Sequence, residues 1–325
     1  MNIHTNRIGC VHHHLSYLTV MRVKLLWLIL IAAIALSLLH GPTGVKVTPQ
    51  IYLQFRLPRV LLALFVGGAL AFVGAILQAI LRNPLVDPYI LGTSGGAALG
   101  RVIAMLMGIN PIVFGFLGSV AATLTVYRIA RYRGRLPRET LLLAGVMMSI
   151  LTSSLVMLTL ALSQKGWQEA FYLLMGYLGR LWDITHMWIF IIGAAITLVT
   201  AIYFIYRAQV FNIMLSGEEE AISLGIDVER VKLLVFVLSA LIVSFVVILA
   251  GSIGFVGLMV PHILRLMMGP DYRRILPYTW VLGGGLLLLA DFLSYTFTAF
   301  ELPVGVITSL AGVPFFLYLL RSHRQ

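Results

Sequence analysis

Residues 58–81 read PRVLLALFVGGALAFVGAILQAIL, an apolar run in which Arg59 is the one charged residue. About 20 such residues cross the hydrocarbon core of a bilayer as a helix. Similar runs recur along the chain, which is 60% hydrophobic and 11% charged, whereas an average soluble domain carries about 25% charge. A soluble fold cannot hide so much apolar surface, so the sequence predicts an all-α, polytopic membrane protein.

Apolar runs separated by glycines, prolines and charged loops predict about ten transmembrane helices per subunit. Residues 166–183 are instead amphipathic and rich in Trp and Tyr, which is typical of a helix lying at the membrane surface. The predicted spans are residues 24–40, 58–81, 93–108, 111–131, 140–163, 186–206, 231–249, 256–268, 276–298 and 304–321.

The first 23 residues are polar and are predicted to form a disordered cytoplasmic tail, with Met21 as an alternative start of the chain. Residues 24–322 are predicted to form one transmembrane domain. The single Cys10 excludes a disulfide framework and a Cys-rich metal site. We expect no metal site and no cofactor.

The orientation follows from the basic residues, which concentrate in cytoplasmic loops of membrane proteins. With the N-terminus in the cytoplasm, most of the 23 Lys and Arg residues fall on the cytoplasmic side, and ten spans place both termini there. The net charge of +11 is then explained by these loops rather than by binding to nucleic acid.

Residues 217–230 read GEEEAISLGIDVER and gather five of the chain's twelve acidic residues in one cytoplasmic loop. The glutamates stand in the first turn of a predicted short helix, where the helix dipole favours them. Gly225 is a predicted left-handed cap, and a second helix begins after it. Acidic residues do little for membrane orientation, so the loop is either a partner-binding knob or a solvated loop without a partner.

Four strings together resemble the FecCD family, the permease subunits of ATP-binding-cassette importers for ferric siderophores, haem and cobalamin. They are RLPRVLLALFVGGALAFVGAILQAILRNPLVDPYILGTSGGAALG at 56–100, GEEEAISLG at 217–225, GSIGFVGLMVPHILR at 251–265 and ELPVGVITSLAGVP at 301–314. The resemblance covers about residues 24–322.

This resemblance implies a homodimer in the cytoplasmic (inner) membrane of a prokaryote. Two separate ATPase subunits would dock on the cytoplasmic side and a substrate-binding protein on the other. Import would proceed by alternating access driven by ATP hydrolysis in the partner, so the chain itself would not be an enzyme.

The resemblance also implies that the coupling helices, at about residues 212–230, contact the ATPase. The residues that match the family's pattern are Gly217, Glu218, Ala221, Leu224 and Gly225. Glu219 and Glu220 lie between them and are expected to take part in the same contact.

On the outer side, Arg56 and Arg59 flank Pro58 at the start of the second span. In a cobalamin importer of the family, arginines at this place receive glutamates of the binding protein, so both are expected docking residues. A third docking arginine of that importer corresponds to Tyr295 here. The alternative is that Arg56 and Arg59 reach the lipid headgroups.

The family's fifth span lines the pathway. The expected pathway residues are Ser149, Thr152 and Ser153, whose small hydroxyl groups would let a bulky ligand slide past, and Met148, which would be a soft contact to the ligand. Alternatively, the hydroxyl groups bond to carbonyls of their own helix and the methionine fills the core. The expected cytoplasmic gate region is Arg138, Glu139 and Thr140.

Two charged residues are expected inside the membrane. Asp291 is expected to hold helices together, whereas Arg101 either contacts an anionic substrate or has a structural role.

Two other classes of membrane protein fit the sequence less well. A secondary transporter typically carries paired ionisable groups at mid-membrane, and the sequence has few acids there. A membrane enzyme would need catalytic motifs, and the chain has no HExxH and no Walker lysine motif. The cargo, whether ferric siderophore, haem, cobalamin or an oxyanion, is not indicated by the sequence.

Overall fold

The computed structural model describes residues 4–39, 52–132, 136–163, 167–179, 183–296 and 301–322. These residues form thirteen α-helices, a π-helical turn at Tyr52–Arg56 and a 3-10 turn at Pro88–Leu91. The helices are α1 His4–Leu39, α2 Leu57–Ile80, α3 Thr93–Met107, α4 Pro111–Ala130, α5 Arg138–Ser163, α6 Trp167–Met175, α7 Ile184–Tyr206, α8 Ala208–Ser216, α9 Glu218–Ser223, α10 Val228–Ala250, α11 Val256–Met268, α12 Tyr272–Thr296 and α13 Val304–Ser322.

Ten of these helices coincide with the ten predicted spans. Seven are long and apolar enough to cross a membrane, and three shorter apolar helices, α3, α11 and α13, complete the set. The shortest, α11, has 13 residues and a length of about 20 Å at 1.5 Å per residue. It is too short to cross as a straight helix, and it continues through Pro261 without a break.

The backbone of α1 is helical from His4, where the sequence predicted a disordered tail. The apolar part that can span a membrane is Met21–Leu39. Extending a helix already nucleated costs less than starting one, so the polar segment continues the helix of the first span.

Helix α2 is the centre of the molecule, because other helices cover nearly all of its surface. Lipid is as apolar as leucine, so helices in a membrane associate through small residues that allow close contact. A methyl group at Gly67 would overlap the carbonyl oxygen of Gly283 in α12, and one at Gly74 would overlap that of Gly257 in α11. These glycines therefore allow α11 and α12 to pack directly on α2.

Helices α4, α5 and α7 form the periphery, since other helices cover only about 28% of the span of each. Between α7 and α10 lie the two short helices α8 and α9, at the predicted cytoplasmic end. This arrangement places the acidic loop beside the first residues of α5.

Candidate coupling site and translocation pathway

The acidic loop folds into two short helices, as the sequence predicts. Gly217 separates α8 from α9, and Gly225 follows α9 with a left-handed backbone at φ 82°. Asp227 then begins α10, since its side chain accepts a hydrogen bond from the amide of Arg230 at 3.0 Å. The loop is therefore a compact, ordered projection rather than an extended segment.

The outward side of α9 carries both charged and apolar groups. Glu219 and Glu220 are exposed, and Ile222 and Leu224 are 62% and 64% exposed. Ala221 lies between them and is fully buried. Of the predicted coupling residues, Ala221 thus anchors the helix, whereas its neighbours present a surface that a partner can reach.

Glu218 points in the opposite direction, into the protein. Its Oε1 accepts hydrogen bonds from Nη2 and Nε of Arg138 at 2.6 and 3.2 Å, and its Oε2 accepts one from Nζ of Lys232 at 3.0 Å. Nη2 of Arg82 lies 3.9 Å from Oε1. Glu218 therefore contacts other parts of this chain, where the sequence predicted a contact to the ATPase.

Lys232 is the buried cation of this group, with a side chain 4% exposed. Its Nζ also donates to Oε1 of Glu229 at 3.1 Å and lies 3.5 Å from the carbonyl oxygen of Leu136. Oε2 of Glu229 accepts from the amide of Leu136 at 2.9 Å. Arg82, Arg138, Glu218, Glu229 and Lys232 are named here the cytoplasmic charge cluster.

The electrostatics of this cluster favour the charged form of Glu218. Burial raises the pKa of the Glu218 carboxyl, but hydrogen bonds from Arg138 and Lys232 outweigh burial and hold the pKa below its ordinary value. The cluster lines a cleft of about 1020 Å³ that opens between α9 and the start of α5.

The predicted gate residues form the first turn of α5, beside this cleft. Arg138 is the residue bound to Glu218, Glu139 is exposed, and Thr140 is half-buried. The structure therefore brings the predicted gate region and the predicted coupling residues into direct contact, which the sequence did not indicate.

The predicted pathway residues of α5 divide between two faces. Thr152 is buried and donates to the carbonyl of Met148 at 2.7 Å. Its side chain packs so closely against Gly95 of α3 that a methyl group on Gly95 would overlap it. The Met148 side chain packs against Gly92. Thr152 and Met148 thus contact neighbouring parts of the chain, and their assignment to the pathway stays a prediction.

Ser149 and Ser153 remain on the more open side of α5. Ser149 donates to the carbonyl of Gly145 at 2.9 Å, and Ser153 is exposed. They stand one turn apart, so they share a face of the helix.

At the predicted outer end, Arg59 is occupied by two carboxylates. Its Nε and Nη2 donate to the two oxygens of Asp291 at 2.8 and 3.0 Å, and its Nη1 donates to Glu301 at 3.1 Å. Its guanidinium carbon lies 4.8 Å from the ring centroid of Tyr295. Arg59 therefore has little exposure and little hydrogen-bonding capacity left for an outside carboxylate, since its side chain is 16% exposed and most of its donors are used inside the chain.

Arg56 has a different environment. Its Nη1 donates to the carbonyl oxygens of Leu38 and Leu39 at 2.8 and 3.4 Å, at the C-terminal end of α1. It forms no ion pair with any residue that the structure describes. Its charge is therefore balanced by helix carbonyls and stays available to an outside carboxylate.

The model of the FecCD transport family matches residues 15–322 of the chain. The chain belongs to the FecCD transport family. Family membership makes it a polytopic transport subunit of an inner membrane, which works with an ATPase and a binding protein.

Named relatives are similar in sequence to this FecCD chain over most of its length. It is 41% identical over 289 residues to the cobalamin import system permease protein BtuC of Halobacterium salinarum, covering 86% of this chain and 76% of the relative. It is 40% identical over 289 residues to the hemin transport system permease protein HmuU of Yersinia pestis, covering 85% and 84%.

The fold of this FecCD chain is also similar to a solved structure described as a metal-chelate type ABC transporter in an inward-facing conformation. The TM-score is 0.81 at 30% sequence identity, and the match covers 91% of this chain and 97% of that one. The predicted fold class is confirmed by this similarity.

Arg101 of this FecCD chain lies in α3, and its side chain reaches the C-terminal end of α10. It is 9% exposed, and its Nη1 lies 3.4 Å from the carbonyl oxygen of Ile248. Cations are stabilised beside the carbonyls that end a helix. This position favours the structural role over contact with an anionic substrate.

Three residues of the charge cluster were not recognised from the sequence: Arg82, Glu229 and Lys232. Glu229 and Lys232 are three residues apart at the start of α10, a spacing that allows an ion pair and was the available signal. Arg82 has a left-handed backbone at φ 45°, which no local pattern predicts for an arginine.

Proposed function

We propose that this chain is the membrane-spanning subunit of an importer that moves a metal chelate into the cytoplasm of a prokaryotic cell. The cargo class is ferric siderophore, haem or cobalamin, and the two relatives named above are described as importing cobalamin and hemin. Two copies of the chain form the permease, two ATPase subunits bind on the cytoplasmic side, and a binding protein docks on the other. Both termini lie in the cytoplasm.

The observation that carries this proposal is the outward surface of α9. Glu219 and Glu220 supply exposed negative charge on a side of the membrane protein whose loops are basic, while Ile222 and Leu224 supply exposed apolar groups. Charges at the rim of an interface steer association, and desolvated apolar groups at its centre supply most of the affinity. This composition suits a protein partner better than water or lipid headgroups.

The transport cycle is alternating access. Closure of the ATPase dimer moves α8 and α9, and this motion reaches α5, whose first turn carries the gate residues Arg138, Glu139 and Thr140. The open face of α5, with Ser149 and Ser153, lines the passage. At the outer end Arg56 receives a carboxylate of the binding protein, and Arg59 supports that surface by holding α12 in place.

A secondary transporter is not favoured. Ion coupling relies on ionisable groups that change partner or protonation at mid-membrane, and Asp291 is already bound to Arg59 through both oxygens.

The first experiment identifies the cargo through the binding protein. That protein, encoded with this chain, is purified and its melting temperature is recorded with haem, cobalamin, several ferric siderophores and molybdate. A rise with one metal chelate supports the proposal and names the cargo. A rise with molybdate alone contradicts the cargo class, although the importer assignment would stand.

The second experiment tests the ATPase contact. Ile222→Ala combined with Leu224→Ala removes the exposed apolar groups, and Leu53→Ala removes an apolar side chain of similar exposure at the opposite end of the molecule. Co-purification of the ATPase should fall about tenfold or more for the double variant, because central apolar anchors dominate binding. An unchanged yield would exclude this surface as the coupling interface.

A further inference from the structure

The three consecutive glutamates of α9 do not share a role. Glu219 and Glu220 face outward, and neither forms an ion pair with the residues that the structure describes. Glu218 faces inward and binds Arg138 and Lys232. Most of the hydrogen-bonding capacity of Glu218 is therefore used inside the chain, and its side chain is only 30% exposed.

The two oxygens of Glu218 bind different helices. Oε2 binds Lys232, which lies in the second turn of α10, and Oε1 binds Arg138, which is the first residue of α5. One side chain thus joins the short helix α9 to two membrane-spanning helices.

The two cations that bind Glu218 differ in how many other partners they have. Lys232 has Glu229 as a second carboxylate partner and Leu136 as a carbonyl partner, so its position does not depend on Glu218 alone. The side chain of Arg138 donates only to Glu218 among the residues that the structure describes. The bond at 2.6 Å is short and charge-assisted, which places it among the stronger hydrogen bonds.

We propose that the Glu218–Arg138 pair carries the displacement of α9 to α5, and that Glu218 is a positioning residue of the transport cycle rather than a contact to the ATPase. This inference rests on the proposed function, since it assumes that the ATPase moves α9. With the pair intact, the start of α5 must follow α9. Without it, α9 moves while α5 stays behind.

The experiment follows α5 directly and needs no cargo. Cys10 is replaced by Ser, and Ser153→Cys, on the open face of α5, becomes the labelling site. The permease is co-purified with its ATPase, and the rate of labelling by a maleimide is measured with and without trapping by ATP and vanadate. Trapping should change this rate by about fivefold or more in the parent, as expected for sites coupled through a conformational change.

Glu218→Gln and Arg138→Gln should each abolish the response of the labelling rate to trapping while the ATPase still binds and hydrolyses ATP. Combining the two changes should have no greater effect than either alone, because both remove the same interaction. Arg138→Lys keeps the positive charge and should restore part of the response. Arg274→Gln, an exposed arginine outside the cluster, should respond like the parent.

Three outcomes would contradict the inference or its premise, and they can be told apart. A full response in Arg138→Gln, which leaves the Glu218–Lys232 bond intact, would show that the pair transmits nothing. Loss of ATPase binding in both variants would make the pair an assembly contact instead. A parent that neither binds ATPase nor responds to trapping would overturn the proposed function itself.

Discussion

Nε of Arg59 lies 2.8 Å from Oδ2 of Asp291, although 232 residues separate them in the chain. The pair joins the outer end of α2 to that of α12. Asp291 has a side chain only 2% exposed, so its charge is removed from water and depends on Arg59.

Arg59→Gln should destabilise the permease by about 3–5 kcal/mol, because removing one partner leaves a buried charge uncompensated. Denaturant titration of the purified protein in detergent measures this loss. The double variant Arg59→Gln with Asp291→Asn should recover a large part of it, since a neutral pair carries no unpaired charge. A double variant as unstable as the single one would show that packing, not charge, dominates this site.

Gly67→Ala tests the close contact between α2 and α12. The added methyl group would overlap the carbonyl oxygen of Gly283, and overpacking of this kind costs about 1–3 kcal/mol. Gly254→Ala is the matched control, because a methyl group there meets no atom within 4 Å. Equal melting temperatures for the two variants would contradict the close packing of these helices.

Asp271 should make the stability of the protein depend on pH in acid. Burial raises the pKa of its carboxyl, but hydrogen bonds from Arg273 and Asn212 outweigh burial and lower the pKa from 3.8 to about 2. A group with a lowered folded-state pKa stabilises the protein fully above its ordinary pKa. That contribution is lost as the pH falls from 3.8 towards 2.

The melting temperature of Asp271→Asn should therefore fall less between pH 4 and about pH 2 than that of the parent, since the amide does not titrate in this range. Scanning calorimetry in an acid-stable detergent makes the comparison. Parallel curves for parent and variant would mean that Asp271 does not contribute to the acid response.

The two faces of α5 should respond differently to substitution. Thr152→Val removes a buried hydroxyl bonded to Met148 and should cost about 0.5–1.5 kcal/mol of stability, with little effect on uptake per folded molecule. Ser153→Leu adds bulk to the open face and should lower uptake of the ligand that the binding protein selects. Reduced uptake in Thr152→Val, with normal uptake in Ser153→Leu, would reverse this assignment.

The sequence predicted helix positions well because apolar runs, glycines and prolines act locally. The predicted spans match the observed helices from α2 to α13 closely, and Gly225 ends α9 as expected. Such features depend on residues a few positions apart, which the sequence displays directly.

The direction of individual side chains was harder to predict. Glu218, Glu219 and Glu220 are chemically identical neighbours, and only the positions of Arg138 and Lys232 determine which one faces inward. Thr152 and Ser153 stand on a helix that is apolar on every side, so periodicity does not distinguish its packed face from its open face. Both distinctions depend on contacts between residues far apart in the chain.

The Arg59–Asp291 pair also bears on how the protein is made. A chain inserted from its N-terminus places α2 in the bilayer before α12 is synthesised. Until then, Arg59 has no Asp291 carboxylate to bind. Contacts between residues so distant in sequence form late. The outer end of the permease is therefore completed only when the last third of the chain has left the ribosome, and a chain truncated before α12 would present an unpaired arginine in α2 to cellular quality control.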